Sequence, residues 1–261
     1  MFPHHEAAIE RVVARFESEP TVLALLLGGS IAHGFETENS DVDVMLVVSD
    51  EEFADRSARF ATAFADVELA GYDGGYVDAK YVSPGYLDEV AERGSEPARF
   101  AFAGARILFS KIDGLDTQLN AASRYPSEWK DDRIARFAAQ LEAWRWMSGE
   151  AGKKNDPYLL ATASSRVVLF AGRMLLAHNE MLYPFHKWFL RVLEGAPDKP
   201  VGIVDRMREL TARPAAADAE SLADEILGFR DWERGEIDWP NHFIHDTEQS
   251  WRRDAAAVED L

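Results

Sequence analysis

Cysteine is absent from this 261-residue chain. That excludes disulfides and thiolate metal sites, and it fits a reducing, cytoplasmic compartment. Long apolar runs are also missing: about 18 consecutive apolar residues would mark a membrane span, and none is expected here. The opening MFPHHEAAIE has neither the basic stretch nor the apolar core of a secretory leader. Basic residues are scarce beside acids, 28 against 46, for a formal net charge of −18. Proteins that grip a nucleic-acid backbone concentrate Lys and Arg, because counterion release supplies much of their affinity. A nucleic-acid polymer is therefore not the expected substrate. Acidic surface attracts cationic small molecules or a basic partner, although in many proteins it serves solubility alone. The chain has ample material for a core, with 47% hydrophobic residues, and its length admits one large domain or two smaller ones.

The first 120 or so residues alternate helical and strand patterns. Ile9, Val12, Val13 and Phe16 recur at helical spacing and predict a first helix ending near Pro20. Residues 21–27 (TVLALLL) and 41–48 (DVDVMLVV) read as buried strands. Ser49-Asp50-Glu51-Glu52 has the form of a capping box, with Phe53, Phe60 and Phe64 expected along the helix that follows. Residues 67–70 and 76–82 are expected strands on either side of a glycine-rich turn at 71–75. Ser83-Pro84 predicts a helix start, Gly94 its stop, and residues 105–110 a last short strand.

Beyond residue 126 only helical periodicity remains. Ile134, Phe137, Leu141 and Trp144 mark one long helix, expected to break across 149–154. Asp156-Pro157 opens a second, with shorter helices expected around 184–194, 201–212, 218–231 and 246–258. The expected class is α+β: a mixed sheet flanked by helices over residues 1–120, then an all-helical domain over 121–261, joined through 111–126.

One segment carries chemistry, LGGSIAHGFETENSDVDVMLVV at residues 27–48. Nucleotidyl transfer must neutralise a triphosphate and activate an incoming hydroxyl, which two divalent ions ~4 Å apart accomplish together. Magnesium takes hard oxygen ligands. Asp41 and Asp43 stand at i and i+2 on a strand and so project from one face. The Gly28-Gly29-Ser30 turn lets backbone amides approach a phosphate and adds a hydroxyl donor. The short stretch 30–35 then serves as a helical turn whose N-terminus faces the anion. Either piece alone is commonplace, since a GGS tripeptide is usually a turn and an Asp pair usually solvated surface. The ordered combination is not commonplace.

That order resembles the DNA polymerase β-like nucleotidyltransferase superfamily, in which a Gly-Ser turn precedes a strand with paired aspartates. The resemblance puts Gly29 and Ser30 at the phosphate turn and Asp41 and Asp43 at the metal-ligand positions. It implies a third carboxylate from a later strand, for which Asp78 in YVDAKYV is the candidate; a lone Asp in an edge strand also discourages aggregation. The helical half is similar to the C-terminal domains of antibiotic nucleotidyltransferases acting on aminoglycosides. That looser likeness implies Arg173 and Lys187 as residues reaching the triphosphate.

The expected activity is magnesium-dependent transfer of AMP from ATP to a hydroxyl of a small molecule such as an aminoglycoside-like antibiotic. Asp41, Asp43 and Asp78 are the expected metal ligands, and Asp78 also the acceptor of the hydroxyl proton. Two alternatives remain open: a protein AMP-transferase, and a nucleotide-binding regulatory or antitoxin-type protein without turnover. His33 is read as a loop histidine. Tyr183, Phe185, Trp188 and Phe189 are read as packing or as a base-stacking cluster. His242 and His245, three residues apart, are given no role for want of partner ligands.

Overall fold

The computed structural model describes residues 1–232, 238–253 and 256–261. Contacts divide the chain into two units, Met1–Gly94 with Ala98–Arg124, and Ser95–Pro97 with Tyr125–Leu261.

The first unit is built on a five-stranded mixed sheet. Helix α1 (Pro3–Phe16) leads into strand β1 (Ala24–Leu27) and a one-turn helix α2 (Gly29–His33). Strand β2 (Val42–Val47), helix α3 (Asp50–Ala58), strand β3 (Ala63–Asp66), the single turn α4 (Val67–Ala70) and strand β4 (Val77–Val82) follow. Helix α5 (Pro84–Arg93), helix α6 (Glu96–Phe102) from Ala98 onward, strand β5 (Arg106–Ser110) and helix α7 (Leu115–Ala122) complete it. The strand order is β3-β4-β2-β1-β5. β2 and β4 run parallel, and the other neighbours are antiparallel.

The inner strands β1 and β2 alternate between two cores, as pleated strands must. Leu25 and Leu27 of β1 with Val42, Val44 and Leu46 of β2 pack under Ala8, Val12 and Phe16 of α1. Ala24, Leu26, Met45 and Val47 face the other way, toward Leu87 and Val90 of α5 and Leu115 and Leu119 of α7. The caps follow the sequence signals: Ser49 Oγ accepts from Glu52 N, Ser83 Oγ from Tyr86 N, and Asp156 Oδ1 from Leu159 N.

Two expectations for this unit are corrected. Residues 67–70 form α4 rather than a strand, because the Asp66 carboxylate accepts from Leu69 N at 2.8 Å and Gly71 ends the turn in the left-handed region. That local cap outweighs the β propensity of Val67. Phe60 and Phe64 do not continue the α3 face: α3 ends at Ala58, Phe60 is left-handed and exposed, and Phe64 lies on β3 against Phe16 and Tyr81. Within the expected joining stretch 111–126, α7 contributes Leu115, Leu119 and Ala122 to the first unit's core, and the units part between Arg124 and Tyr125.

The second unit is helical throughout its described residues. Helix α8 (Lys130–Lys154) pairs with α9 (Pro157–His178); α10 (Phe189–Glu194), α11 (Ile203–Ala212), α12 (Ala216–Gly228) and α13 (Trp239–Asp246) follow. The expected break at 149–154 does not occur. Gly149 and Gly152 stay helical and admit α12: a Cβ on Gly152 would stand 3.0 Å from the Ala216 Cβ. The helix ends instead at left-handed Asn155. The helix expected at 246–258 is replaced by two short 3-10 turns, Ser250–Arg252 and Val258–Asp260, and residues 254 and 255 lie outside the described residues. Helix α9 is long and apolar enough to cross a membrane by length and composition, yet 67% of that window is buried inside the structure, as befits a core helix.

At the heart of this unit sits a charged cluster. Glu96, wholly buried, accepts from Arg133 Nη1 at 2.9 Å, Arg173 Nη1 at 2.8 Å and the Tyr183 amide at 2.7 Å. The Arg173 guanidinium also faces the rings of Phe137 and Tyr183 at 4.5 and 4.4 Å. Removing one member of a buried ion cluster strands its partners' charge at about 3–5 kcal/mol. Glu96→Gln is therefore expected to lower stability by about 3 kcal/mol, read as a drop in the denaturation midpoint. An unchanged midpoint would show that the two guanidiniums need no counterion.

Candidate active site

The site grows out of the β2–β4 pairing. In that parallel ladder Asp43 lies directly opposite Asp78. Both therefore project from the same face, and Asp41, two residues before Asp43, joins them. One ligand oxygen from each of Asp41, Asp43 and Asp78 falls within 4.8 Å of the others, and all three residues are half-buried. Among the described residues this is the one cluster with the geometry to hold a metal ion. Its side chains are hard oxygen donors, the kind magnesium and manganese take.

The turn after β1 closes over this cluster. The Gly28 amide donates to the Asp43 carbonyl at 2.9 Å, tying turn to strand. Gly29 has φ +60°, and a Cβ built there would fall 1.7 Å from Asp43 Oδ2 and 2.5 Å from Asp43 Cβ. Only glycine lets the backbone pass so close to that carboxylate. Ser30 is buried, and its Oγ has no hydrogen-bond partner. An orphaned buried hydroxyl is costly unless something satisfies it. Beside a carboxylate cluster able to hold a cation, a phosphate oxygen is a fitting partner. The short α2 then ends at left-handed Gly34.

The loop entering β2 is pinned from behind. Tyr72 donates its hydroxyl to the Ser40 carbonyl at 2.6 Å, and the His5 Nε2 lies 3.0 Å from the same oxygen. Burial pushes the His5 imidazole below its ordinary range, so the neutral ring donates its Nε2 proton there. His4 Nε2 reaches the Glu38 carbonyl at 2.9 Å. Three side chains thus fix the backbone immediately ahead of Asp41. Neither histidine was singled out by the sequence, because each acts across more than thirty residues of chain without a periodic signal. His33 stacks between Phe35 and Phe100, and burial holds it below the usual imidazole range, in keeping with a loop histidine.

The helical unit treats its two expected phosphate ligands differently. Arg173 is a correction. It is 0% exposed, paired with Glu96 and bonded to the Leu261 carbonyl, so its charge is committed inside the core rather than offered to a triphosphate. Lys187 is exposed in a 3-10 turn (His186–Trp188), with its Nζ 5.3 Å from the Trp188 ring centroid. Tyr183 and Phe189 are buried packing residues, whereas Phe185 is 49% exposed.

Residues 9–92, from within α1 to within α5, match the model of the nucleotidyltransferase domain family. The stretch contains the turn and all three aspartates, so residues 9–92 form a nucleotidyltransferase domain. A nucleotide substrate follows from that family. Among solved structures, a nucleotidyltransferase-like protein from Exiguobacterium sibiricum is similar at 12% identity and a TM-score of 0.49, covering 95% of this chain and 80% of that one. No curated protein matches the chain.

Proposed function

We propose that the protein transfers AMP from ATP to a hydroxyl of a cationic small molecule, of the aminoglycoside type, in a magnesium-dependent reaction. The observation that carries this reading is the gathering of Asp41, Asp43 and Asp78 within 4.8 Å beside the unpartnered Ser30 hydroxyl. Asp41, Asp43 and Asp78 are the residues that would hold magnesium. When bound, the metal supplies Lewis-acid stabilisation of the triphosphate and lowers the pKa of the attacking hydroxyl.

The chain's own residues do the rest. The Gly29 backbone and the Ser30 hydroxyl bind phosphate oxygens and hold the triphosphate in line. The acceptor oxygen forms a bond to the α-phosphorus as the bond to the β-phosphate oxygen breaks. Pyrophosphate leaves, and the hydroxyl proton passes to Asp78. The net charge of −18 suits a polycationic acceptor and disfavours a nucleic-acid polymer. A cytoplasmic setting, where ATP and magnesium are both at hand, goes with this reading.

Incubation with labelled ATP, magnesium and either an aminoglycoside panel or a cell lysate tests it. Label on a small molecule is the expected result. Label on a protein band would make the enzyme a protein AMP-transferase. Bound but untransferred nucleotide under every condition would point to a regulatory protein and sink the proposal.

A further inference from the structure

Helices α8 and α13, with the residues that follow α13 as far as Arg253, line an open cavity of about 680 Å³. It lies wholly within the second unit and has the size of a small-molecule site, typically ~300–1,000 Å³. His242 and His245, whose spacing alone gave them no role, both line it. Neither belongs to a cluster with metal-ligand geometry among the described residues, so the cavity takes its character from two guanidiniums, those of Arg136 and Arg253.

Asp246 is the buried member of the lining, 5% exposed. Arg136 Nε and Nη2 donate to its two oxygens at 2.8 Å each, a fork that engages the whole carboxylate. Arg253 is left with less. Its Nη2 donates to Asp246 Oδ1 at 3.2 Å, an oxygen already taken by Arg136, and to the neutral His245 carbonyl at 2.8 Å. Its buried Nε has no hydrogen-bond partner. Burial alone would raise the Asp246 carboxyl, but the bonds from Arg136 and Arg253 hold it below its ordinary range, so one carboxylate charge serves two guanidiniums. The other acid, Asp132, has a side chain 71% exposed and 3.6 Å from Arg136 Nη1, where solvent screens it. A chain of net charge −18 thus keeps a local surplus of cationic donors. A buried guanidinium nitrogen without an acceptor is costly unless a ligand supplies one.

We propose that this cavity binds the phosphate group of a small molecule. Phosphate oxygens accept from Arg253 Nε and Arg136 Nη1, the donors that Asp246 does not use, while Asp246 holds both side chains in place. The space beyond one phosphate admits an organic group against Ile244, which is 36% exposed. The site belongs to the helical unit and does not depend on metal binding by the aspartates of the first.

Calorimetric titration of the full chain with inorganic phosphate and, separately, glycerol phosphate tests this, in EDTA and without nucleotide. Wild type is compared with Arg253→Gln, Gln249→Glu and Ser30→Ala, and melting temperatures are taken for each. Wild type is expected to bind one equivalent. Arg253→Gln should bind about tenfold more weakly, the loss of one charge-assisted hydrogen bond. Gln249→Glu, which adds a negative charge at an exposed position of the lining, should weaken binding by a similar factor at an unchanged melting temperature. Ser30→Ala should bind as wild type does. Tighter binding of glycerol phosphate would make the ligand an organic phosphate and equal binding would make it phosphate itself; either bears the proposal out. No binding of either probe by wild type at millimolar concentration would overturn it. So would wild-type affinity in Arg253→Gln or in Gln249→Glu, and so would a loss confined to Ser30→Ala, which would put the phosphate at the glycine-serine turn.

Discussion

Asp41→Asn is expected to cut nucleotidyl transfer by on the order of a thousandfold, about 4 kcal/mol of transition-state stabilisation, while the protein melts where wild type does. The substitution keeps the shape of the side chain and removes its charge. Asp41 is half-buried just before the first residue of β2 and belongs to neither core cluster, so the fold has no reason to register the change. A cation-binding site does, because three carboxylates become two and the incoming triphosphate loses part of its counter-charge. Asp43→Asn should behave alike, and the double variant should lose little more than either single one, since residues acting as a unit are not additive. The measurement is initial transfer rate at saturating ATP across a magnesium series. Asp41→Asn working at near wild-type rate would mean that these acids are ordinary surface charge.

Gly29→Ala should be nearly as damaging by a different route. The added methyl meets Asp43 at both its carboxylate and its Cβ, so turning the side chain aside does not relieve the clash. The left-handed backbone at φ +60° adds about 1–2 kcal/mol of its own for a residue with a Cβ. The turn between β1 and α2 must therefore back away from the strand that bears the acids. A misplacement of about 1 Å between reacting groups costs on the order of a hundredfold, and a loss of that size is expected in kcat/KM for ATP. In contrast to Asp41→Asn, this variant should also melt earlier. Wild-type turnover would mean that the turn does not touch the nucleotide.

These two residues also mark what the sequence made readable. The Gly28-Gly29-Ser30 turn and Asp41–Asp43 are local patterns, each complete within a few residues, and they alone carried the resemblance to nucleotidyltransferases. Asp78 was readable because alternation along YVDAKYV put it on one face of a strand, although the sequence does not say which strand lies beside it. The pinning of Ser40 by His5 and Tyr72 had no such trace, since it depends on α1 and the 71–75 turn meeting a loop far away in the chain.

Arg173 was expected at the triphosphate only through the likeness to antibiotic nucleotidyltransferases; its counterion is Glu96, 77 residues earlier, and no periodicity links the two. The strand expected at 67–70 gave way to a cap from Asp66, a single hydrogen bond redirecting a β-prone tetrapeptide. Helix starts with Ser or Asp caps were read well, and breaks were read poorly. Gly149 and Gly152, apparent breakers, are small residues at a helix contact.

The parallel pairing of β2 with β4 has a bearing on how this enzyme class diversifies. Backbone register alone decides that Asp43 faces Asp78, and the covalent path between the strands contributes nothing to their meeting. That path can be lengthened, trimmed or cut, for instance at the solvent-facing bend around Phe60, without disturbing the acids. A single residue inserted inside either strand would instead turn one carboxylate to the opposite side of the sheet. New specificities can thus be grafted between the strands while the chemistry stays anchored in their hydrogen bonds.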